Sequence, residues 1–147
     1  MADGDYEKIV RLLTTYARAV DTRDWELYLT VFAPEAVIDY TGSGGVRGSR
    51  EEATAWVSKA MEIFTMSQHM VVNHDVVVDG DTATSHTDFY NPIGRPDGNG
   101  AMALLFVGGV YKDKLRRTGD GWLITERVEE MKWWTGVWPE GVALDNG

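Results

Sequence analysis

The chain has 147 residues, 44% of them hydrophobic and 25% charged, a globular composition that excludes a disordered chain. With 14 Lys and Arg against 23 Asp and Glu, the net charge is −9, so phosphate backbones and anionic lipid would be repelled. No nucleic-acid or membrane partner is therefore expected. The absence of cysteine removes disulfides, thiolate nucleophiles and thiolate metal ligands.

The length fits one domain over residues 1–147. Met1 runs into Asp3 and Asp5, unlike the basic and then apolar start of a signal peptide, which fits a cytoplasmic location. The longest apolar run, Ala101 to Tyr111, is too short to cross a bilayer.

In chain order, Tyr6 to Asp21 carries its apolar residues on one arc at helical spacing, which predicts an amphipathic helix. Thr22 and Asp24 can cap a second helix, Trp25 to Phe32, stopped by Pro34. Ala36 to Thr41 reads as a short strand. Ser49 and Glu52 form a capping box that opens a third helix running to about Met66. The period then changes to two: His69 to Asp79 and Thr82 to Asn91 are strands joined at Asp79-Gly80-Asp81. After a polar loop from Asn91 to Gly100, two long strands follow, Ala101 to Arg117 and Trp122 to about Trp134, joined by a turn at Thr118 to Gly121. Three helices ahead of an antiparallel meander give an α+β fold.

No Walker loop, dinucleotide fingerprint, HExxH or nucleophile elbow is present. If the Asp79–Asp81 hairpin keeps one register, His69, Val71, Asn73 and Asp75 share a face with His86, Asp88 and Tyr90, and His74 lies opposite with Val72, Val76 and Val78. Such a polar face is either solvated or the floor of a pocket roofed by the helices. Two histidines with carboxylates suit zinc or iron, but their spacing matches no ligand motif, so no metal is expected. Asp21 stands at the border of the first helix's apolar arc, where its carboxylate either faces solvent or reaches inward to orient a histidine. Tyr16, one turn earlier on that arc, would bring a phenol into the same space or serve as core. Trp133, Trp134 and Trp138 crowd the C-terminus, where they can line a pocket or a subunit interface.

The run A-V-D-T-R-D-W-E-L-Y-L-T-V-F-A-P-E-A-V-I-D-Y (Ala19 to Tyr40), with S-Q-H-M at Ser67 to Met70 and the closing G-W-L-I-T-E-R-V-E-E-M-K-W-W, resembles the nuclear-transport-factor-2-like superfamily. The likeness is to its SnoaL-like and scytalone dehydratase-like branches, and it covers almost the whole chain. It implies a cone-shaped α+β barrel, with three helices on a strongly curved, mainly antiparallel sheet that encloses a pocket. It also implies that Asp21 and His69 match the family's catalytic aspartate and histidine, and that Tyr40 and Tyr16 match pocket tyrosines. Val20 stands where scytalone dehydratase carries a second tyrosine, and the second catalytic histidine has no clear counterpart.

The function so implied is a cofactor-free lyase of the dehydratase type, with His69 as base, Asp21 as its orienter, and Tyr16 and Tyr40 as hydrogen-bond donors. A SnoaL-like isomerase or cyclase using the same pair, and a non-catalytic ligand-binding protein, are the alternatives. The substrate is expected to be small and hydrophobic or polycyclic, bound by His86, Asp88, Tyr90, Trp25, Phe32 and Trp133. A homo-oligomer, a trimer before a dimer, is expected to cover the outer sheet face bearing Val72, Val76 and Val78.

Overall fold

The computed structural model describes residues 4–119 and 121–140. Helix α1, Asp5–Thr22, buries Ile9, Leu13, Tyr16, Ala19 and Val20 along one stripe, as its periodicity requires. Arg23 ends it in the left-handed region at φ 58°. Helix α2, Trp25–Val31, is capped by Asp24, whose side chain accepts from the Leu27 N–H. Strand β1, Phe32–Asp39, follows at once. Pro34 therefore does not merely stop a helix. It sits inside the strand, in the register shift between Phe32 and Val37 where the ladder asks for no N–H donor.

A 3-10 turn at Thr41–Ser43 and the short strand β2, Arg47–Ser49, lead to helix α3, Arg50–Met61. The Ser49–Glu52 capping box forms as the sequence predicts, but the helix ends at Met61, not near Met66. Strand β3, Met66–Ser67, is a two-residue strand that the sequence pattern does not announce. The meander is β4 (Met70–Asp79), β5 (Thr82–Pro96), β6 (Met102–Thr118) and β7 (Gly121–Gly136). Half of the expected polar loop is strand, since β5 continues to Pro96. Asp120, in the expected last turn, lies outside the described residues.

The sheet order is β2-β1-β7-β6-β5-β3, with β4 also paired to β5. All pairings are antiparallel except β1 with β7, so the sheet is mixed; it curves around the helices and does not close. No helix among the described residues is long and apolar enough to cross a membrane.

The hairpin register decides which side chains meet the helices. Asp79 pairs with Thr82 and Asp75 with His86, as a two-residue loop demands, but Val72 then pairs with Asp88. One extra residue is absorbed at Asn73, which takes φ 53°. Ala83, Ser85, Thr87 and Phe89 are buried against the helices, so the alternating His86, Asp88 and Tyr90 face outward. The expected polar floor is thus on the convex side, because the inner face takes the small and uncharged residues of β5. Val72 lies outside with them, whereas Val76 packs on the core and Val78 pairs with inward Ala83. Since the bulge reverses the alternation of β4, His69 is separated from His86 and joins the inner face.

Candidate functional site

Asp21 is in the last turn of α1, and the chain beginning at Ser67 crosses that helix end. Asp21 Oδ1 lies 2.6 Å from His69 Nδ1, and Oδ2 accepts the His69 backbone N–H at 2.8 Å. Ser67 Oγ donates to Oδ1 at 2.9 Å and receives Arg23 Nη1 at 2.6 Å, while Arg23 Nη2 donates to the Phe64 carbonyl. The left-handed turn at Arg23 brings its guanidinium back over this junction. A carboxylate only accepts, so Nδ1 of His69 carries the proton and Nε2 is left to meet a molecule in the cavity. Burial alone would raise the Asp21 carboxyl; hydrogen bonds from the His69 ring, its backbone and Ser67 outweigh it and hold the pKa below the ordinary value.

A cavity of about 130 Å³ opens beside His69. Its polar groups are Tyr16, Tyr40, Ser43, His69, Asn91 and Glu129; the remaining walls are apolar, including Trp56, Phe89 and Met131. The phenols form a chain: Tyr28 hydroxyl to Tyr40 hydroxyl at 2.7 Å, and Tyr40 to Tyr16 at 3.1 Å. Burial raises the pKa of all three, so they stay protonated and able to donate. Behind Tyr16 is a fully buried ion pair, Arg127 Nε and Nη2 donating to Asp113 at 2.8 and 2.7 Å. Its guanidinium lies between the rings of Tyr16 and Tyr111, 4.1 and 4.2 Å from their centroids, and fixes their planes.

Glu129 is a pocket group that the sequence reading missed. Its carboxyl accepts a hydrogen bond from Ser43 Oγ. Burial raises its pKa, only partly offset by Ser43, by the charges of His69 and Arg127, and by Tyr111. Plain alternation from Trp122 and Ile124 would turn Glu126, Val128 and Glu130 inward. The register shift around Thr125 instead brings in Arg127, Glu129 and Met131. Asn91 closes the second strand of the expected hairpin, and Ser43 lies in the 3-10 turn after β1; neither carries a signal of its own in the sequence.

Of the ten residues singled out from sequence, the structure brings Tyr16, Tyr40 and His69 into the cavity wall, with Asp21 directly behind His69. The six expected to bind substrate are elsewhere. Trp25 packs beside Tyr28, and Phe32 is core between Tyr16 and Tyr28. Trp133 is 46% exposed and packs against Tyr90 on the outer face; His86 is exposed, and Asp88 accepts from Asn73 Nδ2. A second register shift in β7, between Met131 and Trp133, turns Trp133 away from the cavity. Among the described residues, no three His, Asp or Glu side chains converge as a metal cage.

A family model for the SnoaL-like domain matches residues 4–128. The uncharacterized protein Rv2910c of Mycobacterium tuberculosis is 38% identical over 126 residues, which are 86% of this chain and 84% of that protein. Among solved structures, the Kfla4162 protein of Kribbella flavida superposes with a TM-score of 0.79 at 23% identity, covering 89% of this chain and 93% of its own. A hexachlorocyclohexane dehydrochlorinase, LinA type 2, superposes with a TM-score of 0.76 at 17% identity, over 93% of this chain and 95% of its own. At these identities the superpositions establish the nuclear-transport-factor-2-like fold.

Proposed function

The chain belongs to the SnoaL-like domain family, and from that membership we propose that it is a cofactor-independent lyase of the dehydratase type, acting in the cytoplasm on a small, hydrophobic, oxygenated substrate. The observation that carries this reading is His69, tied through Nδ1 to Asp21 and set in the cavity wall. An imidazole with one ring nitrogen held by a carboxylate can use the other to take a proton from a bound molecule. Nε2 takes a proton from the carbon next to a carbonyl, and Asp21 stabilises the imidazolium that forms. Tyr16 and Tyr40 donate to the oxygen on which negative charge develops. Loss of a hydroxyl from the neighbouring carbon, with a proton, then gives the alkene and water. The cavity volume favours a small substrate over a polycyclic one.

A single-ring β-hydroxyketone, 3-hydroxycyclohexanone, tests the reading. Conversion to the enone, followed by its ultraviolet absorbance, is expected with the wild type and not with His69→Ala. Equal rates with the two proteins would contradict it.

The outer face belongs to the same proposal. Tyr90 packs between Phe106 and Trp133, and Val72, two residues along β4 from Tyr90's partner Met70, stands exposed on the same face. Self-association, to a trimer before a dimer, would cover this patch. Light scattering that gives one 16.4 kDa chain at micromolar concentration would overturn it.

A further inference from the structure

Arg23 closes α1 in the left-handed region, at φ 58° and ψ 29°, where glycine is the unstrained residue. The other described non-glycine residue with positive φ is Asn73, a type that tolerates that conformation. A strained arginine at this point calls for a reason in its side chain. The guanidinium is half-buried, and its four hydrogen bonds all go to uncharged oxygens. Nη1 reaches the Val20 and Asp21 carbonyls at 3.0 and 3.2 Å and Ser67 Oγ at 2.6 Å, and Nη2 reaches the Phe64 carbonyl at 3.0 Å. One side chain thus joins the end of α1 to β3 and to the segment that follows α3. Neither Arg23 nor Ser67 lines the cavity.

We propose that Arg23 is a positioning residue, acting on His69 through Ser67 and Asp21. The direction of each link follows from what each group can give. An arginine only donates, so Ser67 Oγ accepts that bond and still has one proton to place. That proton goes to Asp21 Oδ1 at 2.9 Å, while Oδ2 takes the His69 backbone N–H at 2.8 Å. Both carboxylate oxygens are then acceptors, and the last proton of the junction belongs to His69 Nδ1, 2.6 Å from Oδ1. A cation placed directly on Asp21 would compete with the imidazole for those oxygens. Held one hydroxyl away, it orders the junction and leaves them to His69. The sheet holds the same segment from the other side, since Ser67 pairs with Ile93 and the Gln68 N–H donates to the Pro92 carbonyl.

This clamp is a property of the resting protein and stands apart from the elimination reading above. That it speeds turnover does rest on that reading.

Ring-nitrogen NMR of the intact, isotope-labelled protein reads the clamp without substrate. In the wild type the neutral His69 ring should be protonated at Nδ1, with that proton protected from exchange with water. Arg23→Gly suits the left-handed turn and deletes only the guanidinium, and Ser67→Ala removes the relay. Each should speed the exchange at least about tenfold, the weight of one hydrogen bond to a charged group. Ser67→Thr, which keeps the hydroxyl, should exchange within about twofold of the wild type, and the double variant within about twofold of the faster single one, since one residue acts through the other. The His74 ring signals should not move in any of them, which separates a local release from a general loosening. In deuterium exchange into cyclohexanone, Arg23→Gly should lower kcat about tenfold and leave KM within about twofold, because the cavity lining is untouched.

A wild-type proton on Nε2, unchanged protection in Arg23→Gly or Ser67→Ala, or Ser67→Thr as fast as Ser67→Ala would overturn the clamp. So would multiplied effects in the double variant, His74 signals that move with those of His69, or a change in KM without one in kcat. The wild-type tautomer is read without any variant, so a substitution that fails to fold does not shelter the proposal. Absent turnover in a wild type that shows the expected NMR signature would sink the elimination reading and leave the clamp standing.

Discussion

Asp113–Arg127 and Asp21–His69 are both carboxylates within 2.7 Å of a basic side chain, yet they are built for different ends. The first has no solvent exposure on either partner, two parallel hydrogen bonds, and aromatic rings on both faces of the cation. Its cation never loses its proton, so it can only hold shape. The second is open by 9% and 16%, and its basic partner lines the cavity. Burial turns an ion pair into a scaffold. A small opening onto a cavity, with an imidazole in place of a guanidinium, is what the proposed reaction asks of the same arrangement.

The largest effect is expected where the scaffold is broken. Asp113→Ala leaves the Arg127 charge buried and unpaired, which should cost about 3–5 kcal/mol of stability. Chemical denaturation checks this, and an unchanged midpoint would show that the pair is dispensable. On the other pair, His69→Ala should leave the fold intact while lowering turnover about 10²–10⁴-fold, the range for loss of a positioned base. Asp21→Asn should fall between wild type and His69→Ala, because the base survives without its orienter. Circular dichroism beside the rate measurement separates lost chemistry from lost structure.

The two carboxylates of the site, Asp21 behind His69 and Glu129 in the cavity wall, should respond oppositely to pH. Asp21 has a lowered folded pKa, so its stabilisation is complete above the unfolded value of about 3.9 and is lost as pH falls through the lower folded one. Asp21→Asn should therefore flatten the acid limb of the melting temperature. Glu129 has a raised folded pKa, so stability is lost as pH rises from the unfolded value of about 4.3 through the higher folded one. Glu129→Gln should remove that fall and raise the melting temperature on the alkaline side. The same sign of change in both variants would contradict the assignment.

The smallest effect belongs to His74, which faces inward but outside the cavity lining and hydrogen-bonds Thr87 Oγ1 at 3.2 Å. His74→Ala should cost about 0.5–1.5 kcal/mol of stability and leave turnover unchanged. A His74 variant as inactive as His69→Ala would put the base in the wrong place.

How much of this was legible in the sequence depended on whether a signal was local. The stripe of α1, the Ser49–Glu52 box and the Gly80-Asp81 turn are short-range features, and each formed where it was read. Asp21, Tyr16, Tyr40 and His69 were legible through the family pattern, and the fold brings all four to one place. What failed was facing. Strand alternation carries a face assignment only until an extra residue intervenes, and in the β4–β7 meander three intervene, around Asn73, Thr125 and Lys132. The first hid that His69 and His86 lie on opposite faces, the second concealed Glu129, and the third sent Trp133 outward. Nothing in residue type distinguishes a bulged position: Asn73 alone takes a left-handed φ, and Thr125 and Lys132 are ordinary strand residues. The parallel pairing of β1 with β7 is non-local in the same way.

The central claim is that His69, held by Asp21, removes a proton from carbon next to a carbonyl. Its most direct measurement is solvent deuterium exchange into cyclohexanone, a single-ring ketone, followed by NMR in D₂O. Deuterium should enter beside the carbonyl faster with the wild type than in buffer, more slowly with Asp21→Asn, and at the buffer rate with His69→Ala. Exchange no faster than buffer with the wild type, or undiminished in His69→Ala, would contradict the claim.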